Sequence, residues 1–103
     1  MVSINWTEQA KNDLVSIAGF IAQDSVKYAR ITVQNIRTSV IQLRKYPRSG
    51  RLVPEASNEN IRELIHGNYR IINWLKDVDR IDILTVHHSS MLLFVEELRE
   101  HTR

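Results

Sequence analysis

The sequence predicts an α+β fold, in which an N-terminal strand and an α-helical hairpin pack on a small antiparallel β-sheet, with a short C-terminal helix. Three observations carry that prediction. Apolar residues recur at spacings of three and four from about residue 8 to residue 46, the period of amphipathic helices. Beyond Pro47 the pattern changes: Gly67 and Asn68 stand between runs rich in Ile, Leu and Tyr, the signal of a tight hairpin turn. Lastly, Ile81, Ile83, Leu84 and Val86 make a nearly continuous apolar strand, of the kind buried on both faces at the centre of a sheet.

In order along the chain, Val2, Ile4 and Trp6 alternate with Ser3 and Asn5, so the chain opens with a short strand. Thr7 stops it and caps a helix of about Glu8 to Gln23, whose apolar stripe is Ala10, Leu14, Ile17, Ala18 and Ile21. Asp24 and Ser25 break that helix and cap a second one, with the stripe Ala29, Val33, Ile36, Val40 and Leu43; Pro47 ends it. The short break makes the two helices an antiparallel hairpin. Residues 49 to 60, with Gly50, Pro54, Ser57 and Asn58, have turn composition and no period, and read as an exposed loop.

A two-residue turn at Gly67 and Asn68 pairs His66 with Tyr69, Ile65 with Arg70, Leu64 with Ile71 and Glu63 with Ile72. Ile61, Glu63, Ile65, Arg70, Ile72 and Trp74 then share one face, and Arg62, Leu64, His66, Tyr69, Ile71, Asn73 and Leu75 share the other. Lys76 to Asp79 form a polar turn before the last strand. Ser89 or Ser90 caps a final helix with Met91, Phe94, Val95 and Leu98 on its apolar side.

The chain's 103 residues suffice for one domain and no second module. Hydrophobic content of 43% and charged content of 25% are those of a soluble globular protein. No apolar run approaches the roughly 20 residues that span a bilayer, and no basic-then-hydrophobic leader opens the chain, so we expect a cytoplasmic protein with no membrane partner. The absence of cysteine removes disulfides, thiol catalysis and thiolate metal sites. Net charge is only +2, yet no acidic residue lies between Asp24 and Glu55, while Lys27, Arg30, Arg37, Arg44, Lys45, Arg48 and Arg51 are basic. Such a block suits an anionic partner, either nucleic acid or an acidic protein segment, unless acids elsewhere in the fold balance it. Arg30, Arg37 and Arg44 are spaced by seven and line one flank of the second helix.

Few residues carry obvious chemistry. His87 and His88 are adjacent, so in a strand they face opposite ways and cannot grip one ion together; no metal or other cofactor is expected. Either imidazole could act as a general acid at the end of a core strand. Arg70 has the sharpest case, because a guanidinium in an apolar strand must pair or reach a groove. It lies diagonal to Glu63, within reach of an ion pair. Alternatively it clamps phosphate, with Arg62, Arg51 and Arg48 completing a cationic surface.

The succession WTEQAKNDLVSIAGFIAQDS, LRKYPRSGRLVPE, IRELIHGNYRIINW and IDILTVHHS covers most of the chain in order. It resembles the RelE/ParE superfamily of bacterial type II toxin–antitoxin toxins. The resemblance implies a toxin neutralised by a cognate antitoxin, with operator DNA bound only indirectly, through that antitoxin. RelE-like members cut mRNA on the ribosome; ParE-like members poison DNA gyrase. Arg70 matches the arginine of the family's YR strand motif and Arg62 the basic position in the preceding strand. Were the chain a ribonuclease, Arg70, Arg62, His88 and His87 would be its catalytic set. The basic residues usual after the VHHS-type strand end are absent, since Ser90, Met91 and Leu92 stand there. The helical hairpin and its FIAQDS turn look ParE-like, so gyrase is the expected target; the alternatives are ribosome-dependent cleavage or an inactive antitoxin-binding relative. Arg30, Arg37, Arg44, Arg48 and Arg51 are the candidate contacts to antitoxin or target.

Overall fold

A computed structural model describes residues 1–89. Strand β1 (Ser3–Trp6) leads into helix α1 (Glu8–Ala22), helix α2 (Val26–Ile41) and a 3-10 turn (Gln42–Arg44). The strands β2 (Arg51–Leu52), β3 (Ile61–His66), β4 (Tyr69–Asp77) and β5 (Arg80–His88) follow. The expected C-terminal helix after Ser89 lies outside the described residues.

Both helices start where the polar caps predict. Thr7 accepts the Ala10 amide at 3.2 Å and Ser25 accepts the Tyr28 amide at 3.0 Å, each cap worth about 1 kcal/mol. The Thr7 hydroxyl also donates to the Ile83 carbonyl at 2.7 Å, tying the start of α1 to the middle of the sheet. Helix α2 tightens into 3-10 geometry after Ile41, several residues before Pro47, so Arg44 leaves the α-helical row that holds Arg30 and Arg37.

The sheet order is β1-β5-β4-β3-β2. The β3–β4 register is the one the two-residue turn dictates, from Ile61 opposite Trp74 to His66 opposite Tyr69. Gly67 has φ of 57°, and no other described residue has positive φ. A left-handed residue at the first turn position alone is the type II′ arrangement, which glycine adopts without strain. Strand β4 runs on to Asp77, further than the polar residues from Lys76 suggest.

Two features depart from the sequence reading. The sheet is mixed, because β1 joins β5 in parallel while the other pairs are antiparallel. β1 lies outside β5 at one edge of the sheet, while β2, the strand that follows the helices, lies at the other edge and runs antiparallel to β1. Secondly, residues 49 to 60 are not merely an exposed loop: Arg51–Leu52 pairs with β3, and Gly50 and Val53 are buried.

Two cores result. Between helices and sheet lie Ala10, Leu14, Ile36, Val40, Leu43, Leu64, Ile71, Ile81, Ile83 and Val86. On the opposite face Val53, Ile61, Ile72 and Leu84 form a smaller cluster, with Ala56 and Trp74 packed against it. The segment after β2 is thus a cover for the back of the sheet.

Candidate functional site

Arg70 sits where the hairpin register puts it, diagonal to Glu63 on the back face, and its side chain is 8% exposed. Its Nε donates to Glu63 Oε2 at 2.7 Å, and Nη1 and Nη2 donate to the two oxygens of Glu55 at 2.8 Å each. Glu63, with a side chain wholly buried, accepts through its other oxygen from Arg51 Nε at 2.6 Å. Two carboxylates and two guanidiniums therefore close on one another. The hydrogen-bonded Glu55 carboxylate, and after it Glu63, push the Arg70 guanidinium above its ordinary proton affinity although burial opposes this.

Glu55 escaped the sequence reading, since it lies in the stretch with no period. Its signal was the need of a buried arginine for a second carboxylate. Arg62 is turned to the other face and donates through Nη1 to the Gly50 carbonyl at 3.0 Å. Arg48 donates to Asn60 Oδ1 at 3.1 Å. The arginines at 48, 51, 62 and 70 thus each hold the segment from 48 to 60; Arg51 and Arg70 also line one open cleft of about 550 Å³ with Glu55 and Ile65, and Arg48 and Arg62 are not among its lining residues.

The two histidines fall as adjacency requires: His87 is the cross-strand partner of Arg70, and His88 that of Tyr69. The His88 and Tyr69 rings meet edge to face, 5.7 Å between centroids. Both histidines border a cleft of about 540 Å³ with Ile17, Phe20 and Val86 on its walls. Asp13, also on this cleft and unnoticed in the sequence, accepts from the Thr85 hydroxyl at 2.5 Å and the Val86 amide at 3.0 Å. Its carboxylate is spent on holding α1 against β5, beside a register shift in the β4–β5 pairing. Arg70 faces its carboxylates rather than this cleft, so the four residues of the nuclease reading are not assembled around one space.

On the far side of the helical hairpin, Arg30, Arg37 and Arg44 are exposed. Among the described residues, no acidic group lies within ion-pair distance of them or of Lys27 and Lys45. Among the described residues, acids elsewhere in the fold do not balance this flank, although Arg51 of the same basic block is paired with Glu63. Arg37 and Arg44 rim a cleft of about 330 Å³ whose floor includes Ile4, Trp6, Val40 and Ile41. The cationic flank is therefore coupled to apolar surface, a combination that suits a peptide better than a solvated face.

No curated protein sequence matches the chain. Among solved structures, a chain of a chromosomal ParDE toxin–antitoxin system from P. aeruginosa superimposes with a TM-score of 0.70 at 23% identity, covering 85% of this chain and 96% of that one. That likeness is one of fold: the same helical hairpin and sheet. The family model described as the ParE toxin of the type II toxin–antitoxin system parDE matches residues 4–93. With a match that takes in every described strand and helix apart from the first residue of β1, the chain belongs to the ParE toxin family of type II toxin–antitoxin systems.

Proposed function

We propose that this chain arrests growth by poisoning DNA gyrase in the cytoplasm, and that a cognate antitoxin neutralises it by docking at the cationic flank of α2. The observation that carries the gyrase reading is the closure of Arg70 on Glu55 and Glu63, with Arg62 engaged by the Gly50 carbonyl. A phosphate clamp needs guanidinium donors aimed at open space, where charge develops in the transition state. Here the donors are spent inside the fold, which leaves the ribosome-dependent nuclease reading without its principal cation. Family membership supports the same choice.

The antitoxin reading rests on cations beside an apolar cleft that have no ion-pair partner among the described residues. Fields of one sign speed the encounter with an oppositely charged partner, and desolvated apolar contacts then hold it. Operator DNA is reached through the antitoxin in this scheme.

The test is a supercoiling assay with purified gyrase and relaxed plasmid. The chain is expected to block supercoiling, and the product of the adjoining reading frame, added beforehand, to restore it. Undiminished supercoiling at a large molar excess of correctly folded chain refutes the gyrase reading.

A further inference from the structure

The cationic row of α2 is longer than the cleft it borders. Lys27, Arg30 and Arg37 are all exposed, and among the described residues no acidic group lies within ion-pair distance of any of them. At about 100° per residue, these three and Gln34, also exposed, fall within an arc of about 80° on the helix surface. Arg30 and Arg37 stand two turns apart, about 10.5 Å along the axis, with Gln34 between them. Arg37 reaches the rim of the cleft beside β1, whereas Lys27 and Arg30 are not among the residues lining it. The row therefore runs on past the apolar floor, toward the break between the helices at Asp24 and Ser25.

We propose that this row grips the phosphate backbone of duplex DNA without reading its sequence. A helix holds its side chains in a fixed, straight row, which suits a stiff polyanion with one charge per about 1.7 Å of its axis. Phosphate oxygens accept from arginine, lysine and glutamine alike, so Gln34 adds a neutral donor between the two arginines. A single strand fits less well, because proteins that hold one interleave aromatic rings with the cations for the bases to stack on. On α2 the exposed Tyr28 lies about 160° round the helix from Arg30, away from the row. An acidic protein is held by desolvated apolar contacts at the centre of its interface, and the cleft supplies these at Arg37 but not at Lys27 or Arg30.

The inference goes beyond the gyrase reading and does not rest on it. Joined to that reading, it gives the toxin a direct hold on the DNA that gyrase cuts. It also makes antitoxin and duplex rivals for Arg37.

The test is the fluorescence anisotropy of a labelled duplex of about 20 base pairs titrated with the full chain, without gyrase or antitoxin, over potassium chloride from about 50 to 200 mM. Release of counterions from three phosphates gives log K a slope of about −2.7 against log salt, so binding is expected to weaken about 40-fold across that range. Duplexes of unrelated sequence are expected to bind alike. In the double variant Arg30→Gln, Arg37→Gln the slope is expected to fall to about −0.9. Its melting temperature should stay that of the native chain, because both side chains are exposed. Absence of binding at the lowest salt, an unchanged slope in the double variant, tighter binding to single-stranded RNA of the same length, or a marked preference for one duplex sequence overturns the proposal. The supercoiling assay separates it from the gyrase reading. Duplex binding with undiminished supercoiling leaves this inference standing and removes that reading, and blocked supercoiling without duplex binding does the reverse.

Discussion

Replacing Arg70 by alanine separates its structural role from a catalytic one. The substitution strands the wholly buried Glu63 side chain and leaves the 20%-exposed Glu55 without its fork. Removing one partner of a buried ion pair costs about 3 to 5 kcal/mol, because a desolvated charge is left behind. Arg51 remains 2.6 Å from Glu63, but its side chain is 64% exposed and only partly compensates; Glu55 can rehydrate. The lower end of the range, about 3 kcal/mol, is therefore expected. In a domain of this size that is a fall in Tm of roughly 12 °C or more. Urea and thermal unfolding measure it directly. Arg70→Met combined with Glu63→Leu removes both charges and is expected to return stability to within about 1 kcal/mol of the native protein. The reasoning is refuted if Arg70→Ala melts within roughly 2 °C of the native chain, and a loss of activity in such a stable variant would restore the phosphate-clamp reading.

Three further expectations can be checked separately. A methyl group at Gly50 would stand 2.8 Å from the Glu63 carbonyl oxygen, so Gly50→Ala should force β2 off β3 and cost about 1 to 3 kcal/mol in urea unfolding. Asp13→Ala removes the acceptor for the Thr85 hydroxyl and the Val86 amide; about 1 to 3 kcal/mol should be lost, with faster amide exchange at Val86. Reversing charge at Arg37 and Arg44 together should slow antitoxin association and flatten its dependence on salt, as read by stopped-flow mixing; unchanged rates would move the docking site elsewhere.

Much of the fold was legible because it is set locally. Thr7 and Ser25 announce the helix starts, and Gly67 with Asn68 fixes the hairpin register and so places Arg70 near Glu63. What escaped the sequence is set by distant pairing. Alternation in Val2, Ile4 and Trp6 is the same for a parallel and an antiparallel strand, so nothing in it told which way β1 joins β5. The segment from 49 to 60 lacks a period because its order comes from outside: Val53 fills a small core made by β3, β4 and β5, and Glu55 answers a charge fifteen residues away. Likewise the sequence reading gave Asp13 no role, because that role depends on the amide that β5 presents at a register shift.

The target is tested most directly by mixing the purified chain with gyrase, ATP and plasmid, and in parallel with mRNA on programmed ribosomes. The account predicts cleaved plasmid trapped on gyrase after detergent treatment, and intact mRNA. Cut mRNA without trapped plasmid, with cutting abolished by a variant at Arg70 that still folds, would contradict it.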